Sequence, residues 1–407
     1  MPVATSEENV ISAVCKNKDF HLIIGESPDL FGAYADVFEF MRGYYLKHKA
    51  VPETLLVEQR FKEVALPETT APTAFYLDEL RNNFVTGRMQ EIMLKASSAM
   101  KESSAPEVLE KMSTALAKLG RFTTNARDID ITNSEWAKEH LTRLKERSEA
   151  NEGTPGISTG IKSIDAFYPS GLAGGHSVVF MGYTGRGKSM FADWIACKVH
   201  EQGYKPMIVS LEMSPEEQME RLYAMMSSGM FKISDLSRGD ISMDDFDTFS
   251  KKKLDKAAPF VVVSSEGISE ITPNVVQAKI DTHRPDVVIL DYLQLMKDNA
   301  KTQAMTPRML NLSSEIKRLA MSNNIPIISI TAVTDEDGDK RDSPPVLSQI
   351  SWSSGIEYDA NLAIAVHRHD DSDLVEIVCR KNRHGGMFSF FFDVDFNAGI
   401  WEEKFEL

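Results

Sequence analysis

The sequence predicts an α/β protein in which a mostly parallel sheet with covering helices follows an all-helical N-terminal region. Three observations predict it. In the second half, short apolar runs alternate with helical patterns, as in sheets whose parallel strands are joined by crossover helices. One such run, Ser177-Val-Val-Phe-Met181, leads into Gly182-Tyr-Thr-Gly-Arg-Gly-Lys188-Ser189 and then into a helical stretch from Phe191. Residues 1–130, by contrast, read as helical. The 407 residues suffice for two domains, each with its own core.

Taken in order, Ser6-Glu-Glu-Asn-Val starts a first helix with a capping serine and acids in its first turn. Val37, Phe40, Met41, Tyr44 and Tyr45 have the spacing of a buried helical face. Long helices are expected from about Thr73 to Ala99 and from Pro106 to Leu119. After a polar break, Ser134-Glu-Trp-Ala-Lys-Glu-His-Leu forms an amphipathic helix with Trp136, His140, Leu141 and Leu144 along one side. That face packs either on its own domain or on a neighbouring subunit. Residues 148–156 are a linker. The expected division is a helical interaction domain at 1–128, a linker helix and linker at 129–155, and an α/β domain at 156–407. Within the last, Pro206–Glu212, Phe260–Val263, Val287–Asp291 and Pro326–Thr331 read as strands. Leu362–His367, Leu374–Cys379 and Phe388–Val394 alternate more and suggest an antiparallel edge.

The totals narrow the classes. A net charge of −15 argues against a protein that coats nucleic acid with its whole surface, but not against a local basic groove or ring channel. Cys15, Cys197 and Cys379 lie far apart and read as reduced, buried thiols, with no zinc pattern. No apolar run has the length of a membrane span, and the N-terminus lacks a signal-peptide pattern, so a cytoplasmic protein is expected.

The chemistry centres on Gly182–Ser189, the pattern G-x-x-x-x-G-K-[ST] between a strand and a helix. Gly182, Thr184, Gly185, Arg186 and Gly187, with Met190 just beyond, are expected to wrap a nucleotide's phosphates with backbone N–H groups. Lys188 is placed to reach the β- and γ-phosphates, and Ser189 to ligate Mg²⁺. Val287-Val-Ile-Leu-Asp291 ends a buried strand in a carboxylate at the sheet edge where such folds bind ligands, which suits a metal holder. Glu212 follows the neighbouring strand in the same way. It could orient the water that attacks the γ-phosphate, or it could cap the helix that starts at Ser214.

An ordered series of segments then resembles the DnaB-type replicative helicases, hexameric ATP-driven motors with a RecA-like core. The series is Gly156-Ile-Ser-Thr-Gly, the phosphate loop, Val209-Ser-Leu-Glu-Met-Ser214, Leu290-Asp-Tyr-Leu-Gln-Leu295, Gly355-Ile-Glu-Tyr-Asp-Ala and Lys381-Asn-Arg383-His-Gly385. The resemblance spans about Thr154 to Phe392. It implies a RecA-like P-loop NTPase core, ATP and Mg²⁺, a homohexamer, single-stranded DNA, and a primase and helicase loader as partners. By residue, it implies Glu212 as the catalytic glutamate, Asp291 as the metal-associated aspartate and Arg221 as an arginine near the nucleotide. Lys381 and Arg383 match the pair that reaches across a subunit interface to the neighbour's γ-phosphate. The divergent motifs suit a phage- or plasmid-encoded member.

The match has gaps. Where the family ends a strand in a Ser-Gln pair that senses the γ-phosphate, this chain has Thr331-Ala332, and Ala332 has no hydrogen-bonding side chain. Ser351 stands where the family grips DNA with an arginine. The remaining DNA-binding candidates are Lys340 and Arg341, in the acid-rich loop Asp335–Ser343, and the backbone at Ser354 and Gly355. Two other readings follow from these gaps: a RecA-fold assembly, recombinase-like or loader protein that binds without unwinding, and a non-hydrolysing nucleotide-binding scaffold. Glu212 and Asp291 oppose the scaffold.

Overall fold

The computed structural model describes residues 5–101, 104–119, 131–151, 153–266, 270–334, 343–350, 354–370 and 372–404. Its contacts divide the chain into two compact units, Met1–Asp130 and Ile131–Leu407.

The first unit is helical: α1 (Ser6–Asn17), α2 (Ala35–His48), α3 (Thr54–Arg60), α4 (Thr73–Ala99) and α5 (Ala105–Leu119). The residue that caps α1 is Thr5 rather than Ser6. Its side chain accepts from the Glu8 backbone while the Glu8 carboxylate accepts from its own, a reciprocal cap. The expected face of α2 is only partly right. Val37 and Met41 are buried, but the third buried residue is Phe38, which stacks on Phe31 at 4.3 Å between ring centroids. Phe40 and Tyr45 pack at the margin of this core.

The second unit begins with α6 (Ser134–Ala150), capped by the Asn133 side chain. The expected apolar stripe of α6 does not pack within the unit: Trp136 is 42% exposed and Leu141 63%. Short α7 (Lys162–Phe167) precedes β1 (Ser177–Gly182) and α8 (Lys188–Glu201). Then come β2 (Pro206–Ser210), α9 (Pro215–Met226), α10 (Ile233–Arg238), α11 (Met243–Lys253) and β3 (Val261–Ser264). The chain continues through α12 (Pro273–His283), β4 (Val287–Asp291), α13 (Met305–Asn323), β5 (Ile327–Ala332) and α14 (Ser354–Asp359). It closes with β6 (Leu362–Arg368), β7 (Leu374–Asn382), β8 (Ser389–Asp395) and β9 (Ile400–Lys404).

Among the described residues these strands form one nine-stranded sheet in the order β3-β2-β4-β5-β1-β6-β7-β8-β9. The first six strands in that order run parallel, and β7, β8 and β9 return antiparallel. This corrects one expectation. Leu362–His367 does pair antiparallel with β7, but it is not an edge strand: β6 also lies parallel beside β1, and its side chains are buried on both faces. Its alternation of large and small apolar residues reflects two unequal covering layers, not one wet face. Ile364 and Val366 join the core under α8, while Ala363 and Ala365 join the core under α13.

One buried residue on β6 has an electrostatic consequence. The His367 side chain is enclosed, and neither ring nitrogen has a hydrogen-bond partner. Burial pushes its pKa down to about 4 from 6.5, with His369 and Arg186 adding to the effect. The unfolded chain therefore binds this proton more readily than the folded one, so the stability at stake is complete above pH 6.5 and is lost as pH falls toward 4. A His367→Leu variant should show a flatter dependence of the urea midpoint on pH over that interval. A slope equal to that of the wild type would contradict this assignment.

Candidate nucleotide site at the end of the parallel sheet

The phosphate loop sits where β1 ends and α8 begins, at the C-terminal edge of the parallel strands. Gly185 and Gly187 have φ of +75° and +91°, a region that other residues rarely adopt. A Cβ on Gly187 would also lie 3.2 Å from the Phe396 ring. Lys188 opens α8, and its ammonium donates to the Tyr183 carbonyl at 2.8 Å. Burial brings its pKa down to about 8, although Asp291 and Glu212 pull it back up. An ammonium held this far from water gains most from a bound anion.

A cavity of about 590 Å³ opens beside the loop. It brings together Thr184, Gly185, Gly187, Lys188, Ser189 and Met190 with Glu212, Arg221 and Asp291, residues drawn from three separate stretches of sequence. Asp291 ends β4 as expected, ahead of a cis peptide to Tyr292. Burial raises the pKa of its carboxyl, while the Ser189 hydroxyl and the Arg221 guanidinium act in the other direction. Its Oδ1 is buried without a hydrogen-bond partner. An orphaned carboxylate oxygen next to a serine hydroxyl is a donor set that fits a hard divalent cation such as Mg²⁺.

Glu212 lies two residues past the end of β2, exposed on the cavity wall. It does not cap the following helix. Ser214 and Glu217 cap α9 reciprocally, each side chain bonding the other's backbone.

Several expected residues stand elsewhere. Arg186 turns its side chain out of the cavity, donating to the Arg368 carbonyl at 2.8 Å and pairing with Asp370. Gly182 does not line the cavity; a Cβ there would lie 2.5 Å from the Val366 carbonyl oxygen, so its glycine serves close strand packing. Lys381 and Arg383 lie at the opposite end of the sheet. Lys381 pairs with Ala363 near the start of β6, and the Arg383 N–H donates to the Asn361 carbonyl, level with Ser177. The length of β1 separates them from the phosphate loop, roughly 16 Å at about 3.3 Å per residue. Both cations donate to the Tyr358 carbonyl at the end of α14. Lys340 and Arg341 lie outside the described residues, as does Ser351. Ser354 and Gly355 begin α14.

Other residues at the site carry no sequence signal. Arg368 and Phe396 line the same cavity, with the guanidinium carbon 4.3 Å from the ring centroid. One ends β6 and the other lies between β8 and β9, so only the sheet order reveals their meeting. Ala332 does line the cavity, and the amide of Gln294 reaches the end of its strand, donating to Thr331 Oγ1 at 2.8 Å and to the Ala332 carbonyl at 3.2 Å. On the far side of the phosphate loop, the Gln349 amide donates to the Tyr183 hydroxyl at 3.0 Å.

A glycine-turned loop, a desolvated lysine at a helix start and strand-end acids at a parallel sheet edge define a nucleotide-binding protein of the P-loop class, with a RecA-like sheet. Residues 156–399 match the DnaB-like helicase C terminal domain, and the chain belongs to that family. It is 31% identical over 245 residues to a probable plasmid replicative DNA helicase of Chlamydia psittaci, covering 58% of this chain and 52% of that relative. With the replicative DNA helicase DnaB of Helicobacter pylori it shares 29% identity over 220 residues, 52% of this chain and 44% of the relative. The chain spans about half the length of the curated relatives it matches. In fold it is similar to a DnaB-like replicative helicase whose interactions with primase have been described structurally. That match has a TM-score of 0.68 and 16% identity over 97% of this chain and 98% of the other. A second solved structure, an isolated ATPase domain, superposes with a TM-score of 0.57 and 20% identity over 68% of this chain and 99% of that domain.

Gly187→Ala should disable the loop, since forcing alanine to positive φ costs about 1–2 kcal/mol and its Cβ meets Phe396. Titration with a fluorescent nucleotide should show affinity falling about tenfold or more. Wild-type affinity in a folded variant would contradict the geometry.

Proposed function

We propose that this chain is the subunit of a ring-forming DNA helicase that hydrolyses ATP at its subunit interfaces and unwinds duplex DNA while translocating on a single strand. The observation that carries this reading is the position of Lys381 and Arg383. They cannot reach the phosphates bound by their own chain, so a role at a nucleotide requires a neighbour's loop. Lys317, Lys381 and Arg383 also crowd together. The pKa values of Lys317 and Lys381 fall, first through burial and then through the charge of Arg383. A neighbour's γ-phosphate would relieve that repulsion.

Lys188 and the backbone of Gly185–Ser189 bind the β- and γ-phosphates. Ser189 and Asp291 would hold Mg²⁺, which would supply charge neutralisation to the phosphates. Glu212 accepts hydrogen bonds from the attacking water and orients it in line. Arg221 faces the phosphates from α9, and Lys381 and Arg383 stabilise transition-state charge in trans, an effect worth roughly 10³–10⁵ in rate. The loop around Lys340 and Arg341, with the backbone at Ser354 and Gly355, contacts the DNA strand. The bond from Gln349 to Tyr183 joins the stem of that loop to the phosphate loop. Residues 1–128 form an interaction domain for a primase or loader, and 129–155 a linker helix and linker, the exposed Trp136 and Leu141 of that helix docking on the next subunit. The ring acts in the cytoplasm, and six subunits are expected.

A second reading, a RecA-fold assembly or loader protein that binds DNA without unwinding, is favoured by Ala332. There the side chain of Gln294 is spent on Thr331 rather than directed at phosphate.

A forked duplex with ATP and Mg²⁺ separates the two. Strand separation by the wild type that disappears in Lys188→Ala supports the helicase, whereas ATP turnover indifferent to single-stranded DNA and no unwinding, with or without a loader, contradicts it. Gln349→Ala, which removes the bond to Tyr183, should lower the stimulation of ATP turnover by single-stranded DNA severalfold. Full stimulation in that variant would show that this bond carries no coupling.

A further inference from the structure

Asp193 belongs to α8, one turn beyond Ser189, and takes no part in the chemistry described so far. Its side chain is 2% exposed. Oδ1 accepts from Gln218 Nε2 at 2.8 Å, and Oδ2 accepts from Arg221 Nη1 at 3.1 Å. Both partners come from α9, the helix that follows the turn carrying Glu212. Arg221 lines the nucleotide cavity, where its charge acts on Asp291. One enclosed carboxylate thus fastens the helix of the phosphate loop to the helix behind Glu212.

Stability does not explain a carboxylate here. Burial pushes its pKa up to about 6 from 3.8, with Arg221 pulling the other way. The Asp291 charge adds to the upward shift, and the neighbours of Asp193 along the chain, Phe191, Ala192, Ile195 and Ala196, belong to one apolar core. Buried ion pairs of this kind are often replaceable by apolar side chains without loss of stability. What an apolar residue could not do is hold a guanidinium in one place. An unanchored arginine loses rotamer freedom each time a ligand recruits it, whereas an anchored one has lost it already.

We propose that Asp193 is a positioning residue that fixes the Arg221 guanidinium on the phosphate side of the nucleotide cavity, so that ATP meets a preformed cation. This inference rests on the reading of the cavity as an ATP site. Asp193→Asn keeps the size of the side chain and removes its charge. Its amide can donate to Gln218 Oε1, which is buried without a partner, so the variant is expected to fold.

The test compares the full-length wild type, Asp193→Asn, Arg221→Gln and the double variant by thermal melting, ATP turnover and calorimetric ATP affinity. The expected result is a Tm for Asp193→Asn no lower than the wild type, with KM for ATP raised and affinity lowered about tenfold. Arg221→Gln should lose about as much, and the double variant no more than either single change. Wild-type KM and affinity in Asp193→Asn would overturn the proposal, whether or not Tm falls, and so would losses that multiply in the double variant. The affinity arm does not require turnover. A wild type that binds ATP without hydrolysing it would contradict the ATPase reading, while the affinity ratio would still decide the role of Asp193.

Discussion

The register of three adjacent strands decides how this molecule can work. β6 runs parallel to β1 and β7 returns antiparallel, so whatever follows β1 and whatever ends β7 lie at opposite edges of the sheet. The phosphate loop follows β1. Lys381 lies near the end of β7 and Arg383 directly follows it. No side-chain rotation brings an arginine across the length of a strand, and the backbone hydrogen bond from Arg383 to Asn361 pins the arginine to its own edge. In a ring or filament the two edges would face different neighbours, and on the proposed reading each nucleotide site would be a half-site. Hydrolysis would then report on contact between subunits, because the transition state would lack these cations until the neighbour was seated.

The candidate nucleotide site within one chain holds groups whose electrostatics a bound phosphate would change. Lys188 is desolvated, and its ammonium rests on the carbonyl of Tyr183. Asp291 is desolvated beside Ser189, with one oxygen unsatisfied. Each group is costly alone, and each would be stabilised by the magnesium-bound triphosphate proposed for the site, which would offer negative oxygens to the lysine and a cation to the carboxylate. Arg221, tethered through α9 to α8, belongs to the same arrangement. The connection outward runs through backbone and amide contacts. Val333 donates to the Gly182 carbonyl, Thr334 to the Gln349 carbonyl, and Gln349 to the Tyr183 hydroxyl. These bonds place the two stems of the loop containing Lys340 and Arg341 directly against the phosphate loop.

Much of this was legible in the sequence where the determinant is local. A glycine loop between a strand and a helix and an apolar run ending in Asp291 are short-range patterns, and the structure has both. The parallel core strands were equally readable from their apolar runs. Residues whose meaning depends on strand order were not. Arg368 and Phe396 come from the C-terminal ends of β6 and β8, strands that β7 separates in the sheet, and Asp193 meets Arg221 only because α8 and α9 pack side by side. Nothing at position 193 in the sequence distinguishes a buried anchor from an exposed acid on a helix. β6 misleads for a related reason: alternating large and small apolar residues resemble a half-exposed strand until the layers on both faces are known. Thr5 displaces Ser6 as the cap of α1 because the reciprocal bond with Glu8 depends on a one-residue register. The replacement of the sensor glutamine was visible at Ala332, but the placement of Gln294 against Thr331 was not.

The central claim is that the nucleotide site is completed by another copy of the chain. It is tested most directly by mixing two inactive variants, Glu212→Gln and Arg383→Ala, under conditions where co-assembly is verified, and measuring ATP turnover. An interface site predicts recovered activity, since some junctions then pair an intact Glu212 with an intact Arg383. Turnover that stays at the level of the separate variants in verified mixed assemblies, together with wild-type turnover by isolated monomers, would contradict it.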